Sequence, residues 1–357
     1  VTRRPARESI DRRSFLKSAL LALTGSSIIR LARGANVIPG ADRKNGALFS
    51  FVQINDLHID MPDGTPPAYE KANEKARHVI ETINAERKFK LPDFVILPGD
   101  IIHGETLESL LPECALAKKM LSELRCPYYT LVGNHEVIQR EGDPRFQGPY
   151  EKVFGANRVN YHFTHKGILF ICVNNSGAKG QGNKVSKQRN AWLADVLHTH
   201  PDMPKIVACH IPMVSLREEP ILKKSFGFST YKMLGTGTWD IIRKERETVI
   251  AVLCGHLHLT AAAEVDGIMH VCPSGTASYP CDYAHFTVHR DRIDAAMHRV
   301  AKDLVTPSTN IHGRRRHKRD FTDDKHATPE EYVAGTEAER KFTISLPARS
   351  RPRKKRD

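Results

Sequence analysis

None of the seven cysteines forms a Cys-x-x-Cys pair and none shows the spacing of a zinc ribbon, which excludes a small module built on a thiolate-bound metal. Long apolar runs are missing too. The modestly apolar stretch from Ser18 to Ile29 falls far short of the ~20 residues a membrane helix needs. There is no internal repeat, so a solenoid is excluded. A net charge of +13 would ordinarily point to nucleic acid or an anionic surface, yet residues 47 to 300 carry 29 Lys/Arg and 29 Asp/Glu. The excess sits at the ends, with 10 basic against 3 acidic residues in 1–46 and 15 against 9 in 301–357. The body is neutral and the termini are basic.

With 40% apolar residues in 357, the chain can bury a sizeable core as one large α/β domain with extensions or as two smaller domains. Cys172, Cys209 and Cys254 lie inside apolar runs and read as small buried thiols in strands. Cys272 and Cys281 are available to pair if the protein is exported. Export is suggested by Arg12-Arg13-Ser14-Phe15-Leu16-Lys17, which resembles a twin-arginine signal. Small residues around Ala32-Arg33-Gly34 offer a cleavage point. The resemblance implies a signal peptide over 1–35, a linker over 36–46, the twin-arginine export machinery as a partner, and a periplasmic or extracellular product. Without a working signal the chain would stay cytoplasmic.

From Ala47 the pattern becomes regular. Strands at Leu48–Ile54, Phe94–Leu97 and Tyr128–Val132 alternate with helices over Ala68–Arg87 and Leu107–Leu124, the arrangement of βαβ units and a largely parallel sheet. A hairpin at 159–173, a helix over Lys187–Leu197 and strands at Ile206–Cys209 and Thr248–Cys254 follow. Short alternating strands then continue to Val300. Two sheets are expected, one built early in the chain and one late, with 47–300 as the domain. Residues 211 to 237 show little periodicity and read as a long loop beside the site. In 301–357 apolar residues are sparse and charge runs frequent, as in a flexible tail with one ordered spot at Thr328-Pro329-Glu330-Glu331, a capping box. Such a tail could meet nucleic acid or an anionic surface.

Five apolar runs share one ending: each delivers Asp, Asn or His as the strand stops. They supply Asp56, His58, Asp100, Asn134, His210, His256 and His258. All seven offer oxygen or nitrogen and none a thiolate, a donor set suited to Mn, Fe, Zn or Co. Seven donors are too many for one ion and suit two ions sharing a bridging carboxylate. Two such cations clamp a phosphoryl oxygen and make a hydroxide available near neutral pH.

Taken in order, Asp-x-His, Gly-Asp, Gly-Asn-His-Glu, a lone His and Gly-His-x-His resemble the calcineurin-like metallophosphoesterases over residues 49 to 260. The resemblance implies a four-layer αββα sandwich of two mixed sheets flanked by helices. It also implies one metal on Asp56, His58, Asp100 and His258, and a second on Asp100, Asn134, His210 and His256. His135 then serves as general acid toward the leaving alkoxide during in-line attack by the bridging hydroxide. The metals would be Mn, Fe or Zn, and the substrate a small phosphodiester or phosphomonoester. Many members carry Asp three residues after the second Asp, orienting the acid, and His103 stands there. Asp-x-Gly and Gly-Asp-x-x-Tyr of purple acid phosphatases are absent, and the opening resembles the compact phosphodiesterase branch. Arg140, Arg145 and Arg217 follow metal-bearing strands and are candidates to hold substrate phosphate. The alternatives are a nuclease of the same superfamily that uses the basic tail, and a non-catalytic metal-binding scaffold.

Overall fold

The computed structural model describes residues 46–61, 69–138, 142–176, 187–227, 237–306, 312 and 320–347. The export-signal segment, all but Gly46 of the expected linker, Arg140 and the basic runs at 314–319 and 349–356 lie outside the described residues.

Parity within the strands dictates the layers. In β1 (Phe49–Gln53), Phe49 and Phe51 point to one side, while Val52, and Ile54 beyond the strand, point to the other. In β2 (Phe94–Leu97), Phe94 and Ile96 oppose Val95 and Leu97 in the same way. The phenylalanine side meets a second sheet across an aromatic core. There Phe51 stacks on Phe286 of its own sheet with ring centroids 4.5 Å apart and meets Phe170 of the second sheet edge-on at 5.3 Å. The aliphatic side is covered by helices α1 (Ala72–Asn84) and α2 (Leu107–Leu121). Val79, Ile80 and Ile83 of α1 and Leu110, Ala117 and Leu121 of α2 are buried there.

Sheet one also holds β3 (Tyr128–Thr130), parallel to β2. Sheet two contains β4 (Tyr161–His165), β5 (Ile168–Cys172), β6 (Lys205–Ala208), β7 (Val249–Leu253), β8 (Ala261–Val265) and β9 (Ile268–Cys272), in the order β4-β5-β6-β7-β9-β8. Its inner strands β5, β6, β7 and β9 are parallel and its edges antiparallel. Helices α3 (Gly148–Phe154), α4 (Lys187–His198), α5 (Glu219–Phe226) and α6 (Thr238–Lys244) follow in the chain, and α4 to α6 pack on the outer face of sheet two. The molecule is thus a mixed α/β fold of two mixed sheets with helices outside both.

The expected split into an early and a late sheet is corrected. After sheet two the chain returns to sheet one with β10 (Asp282–Val288), antiparallel to β1, then β11 (Arg292–Arg299). Between 211 and 237, α5 occupies part of the expected loop because Leu222 and Phe226, one turn apart, bury against sheet two. The tail beginning at 301 is corrected over its described part. Capping boxes at Thr328/Glu331 and Thr336/Glu339 start two short helices, α7 (Pro329–Ala334) and α8 (Glu337–Arg340). Strand β12 (Lys341–Ser345) then pairs antiparallel with β11, and Ile344 enters the core between the sheets. Alternation in a five-residue strand flanked by charges is too brief to stand out from a basic tail.

Cys272 and Cys281 are free buried thiols that belong to different core clusters, so the conditional pairing is not made. Among the described residues no helix is long and apolar enough to cross a membrane.

Candidate metal centre

Parallel strands β1, β2 and β3 of sheet one and β6 and β7 of sheet two release their donors beyond their carboxyl ends, where α/β sheets place ligand sites. The backbone there is unusual. Asp56, His58, Asp100, His256 and His258 all adopt left-handed conformations, with φ of 49°, 46°, 49°, 73° and 54°. Residues with side chains avoid this region, and strain of this kind concentrates at functional sites. Gly133 permits the close approach of loops. Its φ is not left-handed, but a Cβ there would lie 2.2 Å from both the amide and Oδ1 of Asp100.

Two donor groups that include a carboxylate result, beside a third set of imidazoles alone, His58, His103 and His135. Asp56, His58 and His258 form one, with His258 Nε2 at 3.1 Å from both Asp56 Oδ1 and His58 Nε2. Asp100, His210 and His256 form the other, with His210 Nε2 3.0 Å from Asp100 Oδ2 and 3.1 Å from Asn134 Oδ1. Asp100 Oδ2 also lies 3.9 Å from His58 Nε2, so one carboxylate faces both groups. His135 Nε2 approaches the same oxygen at 3.9 Å.

The residues fit cations. Asp56 and Asp100 are fully buried, and among the described residues their ion-pair partners are histidines alone. Buried charges of this kind demand a counter-charge. The protein responds with shifted histidines. Burial pushes His58 down to about 3, holding it neutral, while at His210 the charge of Asp100 overcomes burial and lifts it to about 10. Neutral imidazoles and ionised carboxylates are the forms that bind metal, and a cation would take the place of the His210 proton. The two groups would each hold one ion, with Asn134 as a neutral oxygen donor.

Supporting residues fix these donors. Asn55 donates to Asp56 Oδ2 at 2.6 Å, and Gln53 donates to Asn55 Oδ1 at 3.2 Å. His210 has its Nδ1 2.8 Å from the Pro98 carbonyl, so the proton sits there and Nε2 is left for the centre. Asn175 Oδ1 accepts from the amides of His210 and Ile211 at 3.1 and 3.0 Å, and its amide nitrogen donates to Ile211 O at 2.6 Å. Glu136, fully buried, accepts from four amides: Asp100 and Gly133 on one oxygen, Ile101 and Ile102 on the other. Tyr69 stacks over His58 at 4.2 Å between ring centroids, forming part of the wall. Gln53, Asn55, Asn175 and Tyr69 escape a sequence reading because a lone amide or phenol in a strand or loop carries no motif.

The remaining sequence candidates separate. At position 103 it is the main-chain carbonyl, not the side chain, that meets His135, accepting from its Nδ1. The imidazole of His103 turns instead to Glu105, 2.9 Å away. Arg217 is corrected: its side chain is buried and donates to the carbonyls of Tyr332, Leu216 and Thr260 and to the Glu339 carboxylate. A guanidinium with that many internal acceptors braces the fold instead of holding a substrate. Arg145 is exposed and engaged with Asp143 through both Nε and Nη2, at 3.1 and 3.0 Å.

The sequence pattern described as Calcineurin-like phosphoesterase matches residues 49–259. The chain is 23% identical over 229 residues to a probable cyclic nucleotide phosphodiesterase of Moraxella catarrhalis, an alignment covering 60% of this chain and 73% of that protein. It is 26% identical over 225 residues to the uncharacterized protein YvnB of Bacillus subtilis, covering 59% of this chain but only 15% of YvnB. The fold is similar to a dimetal phosphatase from Danio rerio, with TM-score 0.53, 15% identity, and 72% of this chain and 98% of that one covered. It is similar also to a purple acid phosphatase from yellow lupin, with TM-score 0.52, 13% identity, and coverage of 72% and 52%. With the family pattern spanning more than half of its length and both donor groups assembled inside that span, the chain belongs to the calcineurin-like phosphoesterases, a family of metal-dependent phosphoester hydrolases.

Proposed function

We propose that the protein is a two-metal phosphoesterase acting on small phosphodiesters or phosphomonoesters, with diesters favoured by its likeness to the Moraxella protein. The observation that carries the two-metal reading is Asp100, whose Oδ2 faces His210 at 3.0 Å and His58 at 3.9 Å and so serves both donor groups. When bound, the metal ions supply electrophilic polarisation of the phosphoryl group and a nucleophile available near neutral pH. Asp56, His58 and His258 would hold one ion, Asn134, His210 and His256 the other, and Asp100 both. His135 is the acid. Its Nδ1 is tied to the His103 carbonyl, which can only accept, so Nδ1 keeps its proton and Nε2 is the atom that passes one to the leaving oxygen. Glu136 holds the main chain of the loops after β2 and β3, keeping Asp100 beside His135, whose amide donates to Asp100 Oδ1 at 2.9 Å.

The test is metal analysis of the purified chain, with turnover of nitrophenyl monoester, linear diester, cyclic nucleotide and nucleic-acid substrates after reconstitution with Mn, Fe or Zn. Asp100→Ala should lose both metals and all turnover. No metal-dependent turnover on any substrate would rule the reading out.

A further inference from the structure

The loop from Gly255 to Thr260 presents His256 to one donor group and His258 to the other, both in left-handed backbone. Its main chain is held by parts of the chain far away in sequence. Thr260 N donates to Val333 O at 2.8 Å, and Thr260 O accepts from Arg217 Nη2 at 2.8 Å. The carbonyl of Leu257, the residue between the two histidines, lies 2.6 Å from Nε2 of His312, 55 positions further on.

A carbonyl oxygen only accepts, so His312 carries its proton on Nε2 and its Nδ1 is the acceptor. The Ser225 hydroxyl stands 3.0 Å from that Nδ1 and 2.7 Å from the Tyr332 hydroxyl. The Ser225 hydroxyl in α5 thus stands among Tyr332 of α7, His312 and the Leu222 carbonyl, which it reaches at 3.0 Å, while His312 donates to the metal-bearing loop. All three side chains are buried, and Phe226 lies against both His312 and His256, with ring centroids at 6.1 and 5.3 Å. Leu257 N donates within the loop to Gly255 O at 2.8 Å, whereas its carbonyl, between two left-handed residues, is held from outside by a buried imidazole donor. The same logic governs outer partners of metal-bound histidines, which set the direction of the ligand without touching the metal.

We infer that His312 is a positioning residue of the metal centre: by holding the Leu257 carbonyl it sets the directions of His256 and His258, tying both metal positions to the chain beyond residue 300. The inference rests on the two-metal reading and extends the functional unit past the family span, which ends at residue 259.

The experiment uses the full chain loaded with Mn or Zn. Metal affinity is read by competition with a chromogenic chelator, alongside kcat and KM at saturating metal. His312→Ala should weaken metal binding by about 10- to 100-fold, with KM for a nitrophenyl diester within about twofold. His312→Gln, whose amide N–H can reach the same carbonyl, should recover most of that loss. Unchanged metal affinity in a folded His312→Ala variant overturns the proposal, as does a His312→Gln variant as weak as alanine. Where His312→Ala does not fold, His312→Leu decides: it fills the same buried space but cannot donate to the Leu257 carbonyl. A measurable weakening of metal binding upholds the proposal and none overturns it. A wild-type chain that takes up no metal would overturn the two-metal reading beneath it, and this one with it.

Discussion

Besides His58 and His135, sheet one brings oxygen donors to the centre, Asp56, Asp100 and Asn134, whereas sheet two brings imidazoles, His210, His256 and His258. The two sides are also braced differently. On the sheet-one side the brace around Asp100 is inside the motifs themselves: Glu136, two residues after Asn134, caps the amides of 100, 101, 102 and 133. On the sheet-two side it comes from a distance, from Asn175 below His210 and from Arg217, His312 and Val333 around the Gly-His-Leu-His loop. Negative donors crowd the first side, so their loops need amide dipoles fixed nearby. Imidazole donors on the second side need direction above all, which remote hydrogen bonds can supply.

The sharpest way to break this contrast is to remove each brace in turn. Glu136→Ala leaves four buried amides without their acceptor, each worth about 1–3 kcal/mol when unsatisfied, so a loss of about 4 kcal/mol or more is expected after partial rescue by water. Asn175→Ala strands two amides and one carbonyl and should cost less, about 2–4 kcal/mol. Denaturant unfolding of metal-free protein measures both. If Asn175→Ala proves the more costly, the local brace is not the stronger one.

The same contrast explains what could be read without a structure. The donors themselves were legible, because each closes an apolar run and stands in a short motif. Glu136 was visible as part of Gly133-Asn134-His135-Glu136, though not its task, since four amide partners cannot be inferred from spacing. Gly133 stands in the same motif, and its need, space beside Asp100, is likewise invisible in the spacing. The remote brace was illegible. Arg217 resembled a phosphate ligand because an arginine after a metal-bearing strand looks the same whether it faces solvent or a buried carboxylate. The segment beyond 300 read as a tail because its charge dominates its composition, while Tyr332, Val333, Ala334 and Ile344 are the few apolar residues that dock it.

That remote brace is partly ionic, which gives it a pH signature. Glu339 accepts from Arg217 at 2.6 Å and lies 2.8 Å from His326 Nε2. Burial alone would raise its carboxyl, but His326 and Arg217 pull it from its ordinary 4.5 down to about 2. A folded-state value below the unfolded one means that the unfolded chain binds the extra proton first. The stabilisation is therefore complete above about pH 4.5 and is lost as pH falls toward about 2, amounting to about 3 kcal/mol for a shift of this size. Glu339→Gln should flatten that part of the stability–pH curve relative to wild type, measured by urea unfolding at a series of pH values. Parallel curves for the two proteins would show that the sheet-two brace does not depend on this charge.

The smallest expected effect concerns His135, where the two sides of the centre turn out to share a device. His210 of sheet two is oriented by the carbonyl of Pro98, just past β2 of sheet one, and His135 by the carbonyl of His103. A main-chain acceptor persists whatever side chain stands at its position. His103→Ala should consequently leave kcat within about threefold of wild type, while His135→Ala, which removes the proposed acid, should lower it by about 10²- to 10⁴-fold. The kcat–pH profile of His103→Ala should keep its wild-type shape. A tenfold loss, or a displaced acidic or basic limb, would mean that the imidazole paired with Glu105 tunes His135 after all, and that His135 relies on a side chain where His210 relies on the backbone.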